Sequence, residues 1–241
     1  MAEAEDADKR MTRPIDTLLF DFGGTLDADG IAWKERIHAH YRIEGVDVPA
    51  EAFAPVFFAA DDPLVGGLPD DADLTATVER LTGNLERELD RRAIAARDSA
   101  RGRRVAQRFL ADADAAFRRN RPFIEALGGR YRLGIVSNFY GNLEAVCRGA
   151  GLGPLFGALA DSHRVGAEKP DPAIFRAALD PLGAKPATTL LVGDSLKRDR
   201  AGARALGMHF VWLAPVETQA AEGPCDHPVV TRLGDLRELL A

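Results

Sequence analysis

Five short, mostly apolar runs set the frame of this chain: Thr17 to Phe20, Arg132 to Ser137, Ala158 to Asp161, Thr189 to Gly193 and Phe210 to Leu213. Apolar residues follow one another in these runs instead of alternating with polar ones. That is the pattern of a strand buried on both faces, as in a parallel sheet. From Pro122 onward, helical stretches of ten or so residues separate the runs. Such alternation implies a doubly wound α/β sheet. The first strand is read as residues 15 to 21, and Val229-Val230 as a last edge strand.

Polar residues stand where these strands end. Asp21 closes the first and is followed by Phe22-Gly23-Gly24-Thr25-Leu26. The carboxyl ends of strands are where open α/β sheets bind ligands. The glycines allow a sharp turn and close approach to a ligand. Ser137-Asn138 ends the second strand. Thr189 to Gly193 runs into Asp194-Ser195, with Asp199 five residues beyond Asp194. Between them, Glu168-Lys169-Pro170-Asp171-Pro172 puts a lysine just ahead of a proline-started helix. The set holds a carboxylate able to act as a nucleophile, hydroxyls, a lysine and further carboxylates.

In this order and spacing the chain resembles the haloacid dehalogenase superfamily over about residues 15 to 215, less a middle insertion. The resemblance implies Asp21 as nucleophile, with Thr25, Ser137 and Lys169 as further catalytic residues. It implies phosphoryl binding near Gly24 and Asn138, and supporting roles for Ser195 and Asp199. It also implies Mg²⁺ between Asp21, the Gly23 carbonyl and Asp194. Oxygen ligands with retained water suit that ion. Asp199 is expected to orient Lys169 or Ser195. One position departs from the pattern of the family's phosphatases. They usually carry a second aspartate two residues after the nucleophile, which protonates the leaving group and then activates water. Here that position is Gly23. Glycine keeps the carbonyl and loses the acid–base group.

Between the first and second strands the pattern is helical. Ile31 to Glu44 repeats Trp33, Ile37 and Tyr41 at about one turn, with Asp29 or Gly30 as its cap. Pro49 opens a second stretch through Ala60. The segment Asp61 to Asp73, broken by Pro63, Gly66-Gly67 and Pro69, reads as a loop. Leu74 to Leu89 is a third helix. Residues 91 to 119 read as arginine-rich helix broken near Gly102, and Pro122 as the start of a separate short helix. By the resemblance, residues 30 to 118 form a helical cap, with 15 to 29 and 119 to 241 as the α/β core and 1 to 14 as a disordered tail. Trp33, Phe53, Phe57 and Phe58 are expected in the cap's own core. His38 and His40 sit two apart on one helix and are expected to face different sides.

Composition excludes several classes. Of the 241 residues 46% are hydrophobic and 28% charged, ordinary for a globular protein. No apolar run approaches the roughly 20 residues of a membrane span, and the polar start lacks the apolar segment of a secretory signal. Two cysteines, Cys147 and Cys225, give no disulfide framework or metal-ligand spacing. A cytoplasmic location is expected. The net charge of −6 disfavours nucleic acid as a partner. It is spread unevenly: residues 1 to 75 hold 17 acids and 6 bases, residues 76 to 121 hold 12 arginines and 7 acids. The basic block reads as a solvated, salt-bridged helix face.

Two functions from different classes follow. The first is a Mg²⁺-dependent phosphatase that forms an aspartyl-phosphate on Asp21 from a small phosphorylated metabolite. The second is a binding or regulatory protein on the same scaffold, raised by the loss of the acid at Gly23. Two chemical variants of the first belong to the same family. A dehalogenase would carry an aromatic where Gly23 stands. A phosphonatase would use a cap lysine, and Lys34 is the one lysine between Asp27 and Asn120.

Overall fold

The computed structural model describes residues 14 to 223 and 225 to 241. The expected N-terminal tail lies outside them, Pro14 excepted. Six parallel strands form one sheet in the order β3-β2-β1-β4-β5-β6. They are β1 (Thr17–Phe20), β2 (Arg132–Ser137), β3 (Ala158–Asp161), β4 (Thr189–Gly193), β5 (His209–Leu213) and β6 (Val229–Val230). The order reverses beside β1, so β1 and β4 flank the point where such sheets bind ligands. In register, Phe20 lies opposite Ile135 of β2 and Val192 of β4. The carboxyl ends of these three strands therefore meet.

Apolar residues cover both faces of the sheet. Leu18, Phe20, Ile135, Val192 and Val211 pack on one side with the helical block and the closing helix α10 (Leu236–Leu239). Leu19, Val136, Leu191, Phe210 and Trp212 pack on the other against α7 (Pro172–Leu179) and α8 (Ala201–Leu206). All ten are buried, which explains why the strands read as continuous apolar runs.

The helical block holds α1 (Trp33–Ile43), α2 (Ala50–Asp61), α3 (Leu74–Arg91) and α4 (Ser99–Gly128). Its last part differs from the sequence expectation. Helix α4 runs unbroken through Gly102 and Pro122. Val105, Phe109, Ala113, Ala116, Asn120, Ile124 and Leu127 form one buried stripe along it, so tertiary packing overrides the proline. Gly102 marks close approach to α3: a Cβ there would lie 3.0 Å from Glu86 Cγ. The true break falls before Ser99, where Asp98 accepts from Ala100 N (2.8 Å). A boundary at residues 118 and 119 would thus cut a continuous helix.

Other caps and turns also differ. Helix α1 starts after Ala32 without a side-chain cap, and Asp29, three residues earlier, pairs with Arg119 (2.9 Å). The helix after β4 opens with a π-helical turn, Leu196–Arg200. Short helices α5 (Leu143–Gly149), α6 (Ser162–Val165) and α9 (Val216–Glu222) complete the connections. The arginines of residues 76 to 121 are largely paired: Arg101 with Glu86 (2.7 Å), Arg104 and Arg108 with Glu44 (2.6 and 3.2 Å) and Arg118 with Asp114 (2.8 Å). Among the described residues no helix is long and apolar enough to cross a membrane.

Helix α8 is held to α7 by a contact that permits no side chain. A Cβ on Gly202 would lie 2.1 Å from Phe175 Cε2. Gly202→Ala should therefore lower stability by about 1–3 kcal/mol through overpacking, read as a lower urea midpoint with unchanged slope. A midpoint equal to that of wild type would contradict this packing.

Candidate active site

The site gathers at the carboxyl ends of β1, β2 and β4. Asp21 follows β1, its N–H bonded to Val192 O (2.9 Å). Ser137, the last residue of β2, donates from Oγ to Asp21 Oδ1 (3.0 Å). Lys169 arrives from the loop before α7. Its Nζ lies 2.7 Å from Asp21 Oδ1 and 2.7 Å from Asp199 Oδ1. Burial alone would lower the pKa of Lys169, but Asp199 and Asp21 outweigh it and hold it above the usual value. Asn138 fixes the lysine's main chain, accepting from Lys169 N (2.7 Å) and donating to Lys169 O (3.4 Å).

Asp194 and Asp199 come from β4 and the π-helical turn. Asp199 bonds Lys169 with one oxygen and accepts from Ser195 N with the other (3.0 Å). The wider turn brings this carboxylate inward. Ser195 Oγ accepts from Arg198 N (3.2 Å). Trp212 Nε1 donates to Asp194 O (2.9 Å) and anchors the start of the loop. The Asp194 carboxyl is held well above its usual pKa by burial first, then by Asp21 and Asp199. Ligand oxygens of Asp21, Asp194 and Asp199 lie within 4.8 Å of one another. The Asp21–Asp194 side of this cluster has the oxygen donors and the uncompensated negative charge that suit a hard divalent cation.

The loop after Asp21 explains its glycines. Gly24 has φ +91°, and a Cβ there would lie 2.6 Å from Asp194 Oδ2. Only glycine suits both the angle and the space. Gly23 is different: it has no positive φ, but a Cβ would meet Trp33 Nε1 at 3.1 Å. The indole occupies the space beside this position. It is held there by Asp27, which accepts from Trp33 Nε1 (2.7 Å), Arg36 Nη1 (2.7 Å) and Gly24 N (2.6 Å). Asp27 is fully buried.

A cavity of about 440 Å³ opens over these groups. Asp21, Gly23, Ser137, Asn138, Lys169, Asp194 and Ser195 line its floor. Lys34, Phe57, Phe58 and Asp61 line it from the helical block. Three expected site residues, Thr25, Gly24 and Asp199, are not in its lining. Thr25 is fully buried, its hydroxyl without a partner. Gly24 spends its N–H on Asp27. The turn places Thr25 and Gly24 outside the cavity lining. Asp199 also stands behind Lys169 and outside the lining. Trp33, Phe53 and Phe57 are buried in the core as expected, Trp33 and Phe57 also lining the cavity, whereas Phe58 is about half exposed and lines the cavity.

Asp61, Tyr140, Arg198 and Glu35 are among the cavity residues that carried no sequence signal of a role. Tyr140 lies three residues past Ser137, the one positional clue. Asp161 fixes this segment by accepting from Gly141 N (2.9 Å) and Leu143 N (3.1 Å). Among the described residues no histidine lines the cavity. His38 bonds Val48 O (2.7 Å), and His40 pairs with Asp112 (2.9 Å).

Buried like charges make a prediction. Asp194→Asn removes the repulsion between Asp21 and Asp194 and should stabilise the metal-free protein. The gain should appear as a higher urea midpoint in chelator-treated protein. A lower unfolding midpoint in chelator-treated protein would contradict it.

Known proteins agree with this arrangement. The family model of haloacid dehalogenase-like hydrolases matches residues 15–207. Haloacid dehalogenase-like hydrolase domain-containing protein 3 of Bos taurus is 43% identical over 86 residues, covering 36% of this chain and 34% of that protein. A phosphoserine phosphatase of Thermus thermophilus is 39% identical over 95 residues, covering 38% and 35%. These matched segments span about a third of the relatives' own length. A Bacillus subtilis HAD hydrolase solved with bound magnesium has the same fold (TM-score 0.55, 21% identity, 95% of this chain and 99% of that one). The chain belongs to the haloacid dehalogenase-like hydrolase family.

Proposed function

We propose that this protein is a Mg²⁺-dependent phosphatase that forms an aspartyl-phosphate on Asp21 from a small phosphorylated substrate. The observation that carries this reading is the contact set of Asp21: Ser137 at 3.0 Å, Lys169 at 2.7 Å, and a second carboxylate, Asp194, in the same cluster. Asp21, Asp194 and the Gly23 carbonyl would hold the ion, which neutralises the phosphoryl group and the facing carboxylates when bound. Asp21 attacks phosphorus. Lys169 and Ser137 balance charge on the phosphoryl oxygens. Asp199 keeps Lys169 charged and in place, and Asn138 fixes the lysine's loop.

The helical block would act as a cap over Asp21 and restrict the site to small esters. In this reading the cap boundary lies within α4. The named activity of the Thermus relative, a phosphoserine phosphatase, supports phosphate monoesters as the substrate class. A phosphonatase variant has one supporting observation, because Lys34 reaches the cavity. Lys34 is one-third exposed and pairs with Glu35 (3.2 Å).

A panel of phosphorylated metabolites, assayed with and without Mg²⁺, tests the reading. Phosphate release from at least one small ester should require Mg²⁺ and fall to background in Asp21→Asn. Wild-type protein inactive on the whole panel, or an Asp21→Asn variant with wild-type turnover, would support the binding-protein reading instead.

A further inference from the structure

We propose that Asp61, at the end of α2, is the general acid and base of this site, standing in from the helical block for the carboxylate missing at Gly23. The inference rests on the phosphatase reading and adds a residue to it.

The argument starts from the direction of the reaction. In phosphoryl transfer the attacking and leaving oxygens lie roughly in line with phosphorus. If Asp21 attacks from the floor, the leaving oxygen faces the helical block. A proton donor is needed on that side. The acids lining the cavity are Asp21, Glu35, Asp61 and Asp194. Asp21 is the nucleophile and Asp194 faces the cation. Glu35 is exposed and paired with Lys34 (3.2 Å). Asp27 accepts three hydrogen bonds beneath the floor, and Asp29 is bonded to Arg119. Neither Asp27 nor Asp29 lines the cavity. Asp61 remains.

Its surroundings suit the task. Tyr140 Oη donates to Asp61 Oδ1 (2.5 Å), so the other oxygen is the one to carry a proton toward substrate. Burial pushes the Asp61 carboxyl up to about 6. Tyr140 and Arg198 pull it down and Asp62 pushes it up. Lys34 and Glu35 line the same cavity. A carboxyl poised near neutrality can give a proton and take it back. Tyr140 itself is held well above its usual pKa, by burial first and then by Asp61, so it orients the acid and does not replace it.

The steps balance. A carboxylate oxygen of Asp21 bonds to phosphorus as the phosphorus–ester oxygen bond breaks, and the leaving alkoxide takes the proton of Asp61. Water then attacks phosphorus and gives a proton to the Asp61 carboxylate. The Asp21–phosphorus bond breaks, releasing inorganic phosphate and restoring both carboxyl groups.

The experiment compares wild type, Asp61→Asn and Tyr140→Phe on alkyl phosphates and on p-nitrophenyl phosphate. Alkoxides need the proton, whereas nitrophenolate leaves without it. Asp61→Asn should lose about 10²- to 10⁴-fold in kcat/KM on alkyl esters and less than roughly 10-fold on the aryl ester. Equal losses on both, or no loss on alkyl esters, would overturn the proposal. Tyr140→Phe keeps the acid but removes a bond to its ionised form. The alkaline fall of kcat/KM on alkyl esters should move to higher pH, because the acid then stays protonated further. An unmoved limb would overturn the proposal, and this variant serves if Asp61→Asn fails to fold. Wild-type protein inactive on both ester classes would remove the phosphatase reading and this proposal with it. Active wild type with an indifferent Asp61→Asn would remove the proposal alone.

Discussion

One buried ammonium organises the site. Lys169 Nζ stands 2.7 Å from Asp21 and 2.7 Å from Asp199, while Asp194 joins the same cluster. Three carboxylates so close would repel strongly in a buried place. Lys169 neutralises part of that charge and fixes the orientation of Asp21. Asp199 fixes Lys169 in turn, and the π-helical turn after β4 exists where Asp199 must point inward. The charge that Lys169 leaves uncompensated lies on the Asp194 side, which is where a cation is expected.

Gly23 belongs to a second network and is not an isolated loss. The indole of Trp33 lies beside it, held by Asp27, which also binds Arg36 and Gly24 N. Arg36 in turn lies 4.0 Å from the Phe109 ring centroid, within reach of a cation–π contact. The helical block is thereby fastened to the nucleophile loop through a buried ion pair. A side chain at position 23 would press on the indole that anchors this joint, its Cβ lying 3.1 Å from Trp33 Nε1. The acid function, on this account, sits across the cavity, where the leaving group faces.

Much of the frame was legible in the sequence because strand burial leaves a local mark. The apolar runs at residues 17 to 20, 132 to 137 and 189 to 193 each end in a residue that reaches the site or leads directly into one. What was not legible depends on tertiary contacts. Pro122 reads as a helix start until the buried stripe of α4 is seen to continue past it. The burial of Thr25 and the bond of Gly24 N to Asp27 are likewise set by the turn's tertiary fold. Asp61 lies at a helix end, beside a loop of prolines and glycines, with no motif around it. Only the hydrogen bond from Tyr140, 79 residues away, marks it.

The central claim is covalent chemistry at Asp21. Wild-type protein should be mixed with a turned-over phosphate ester and Mg²⁺, quenched in acid within a single turnover, digested and examined by mass spectrometry. The peptide holding Asp21 should carry the mass of one phosphoryl group, lost on treatment with hydroxylamine and absent in Asp21→Asn. An active enzyme whose Asp21 peptide stays unmodified at every quench time, with label on another residue, would contradict the account.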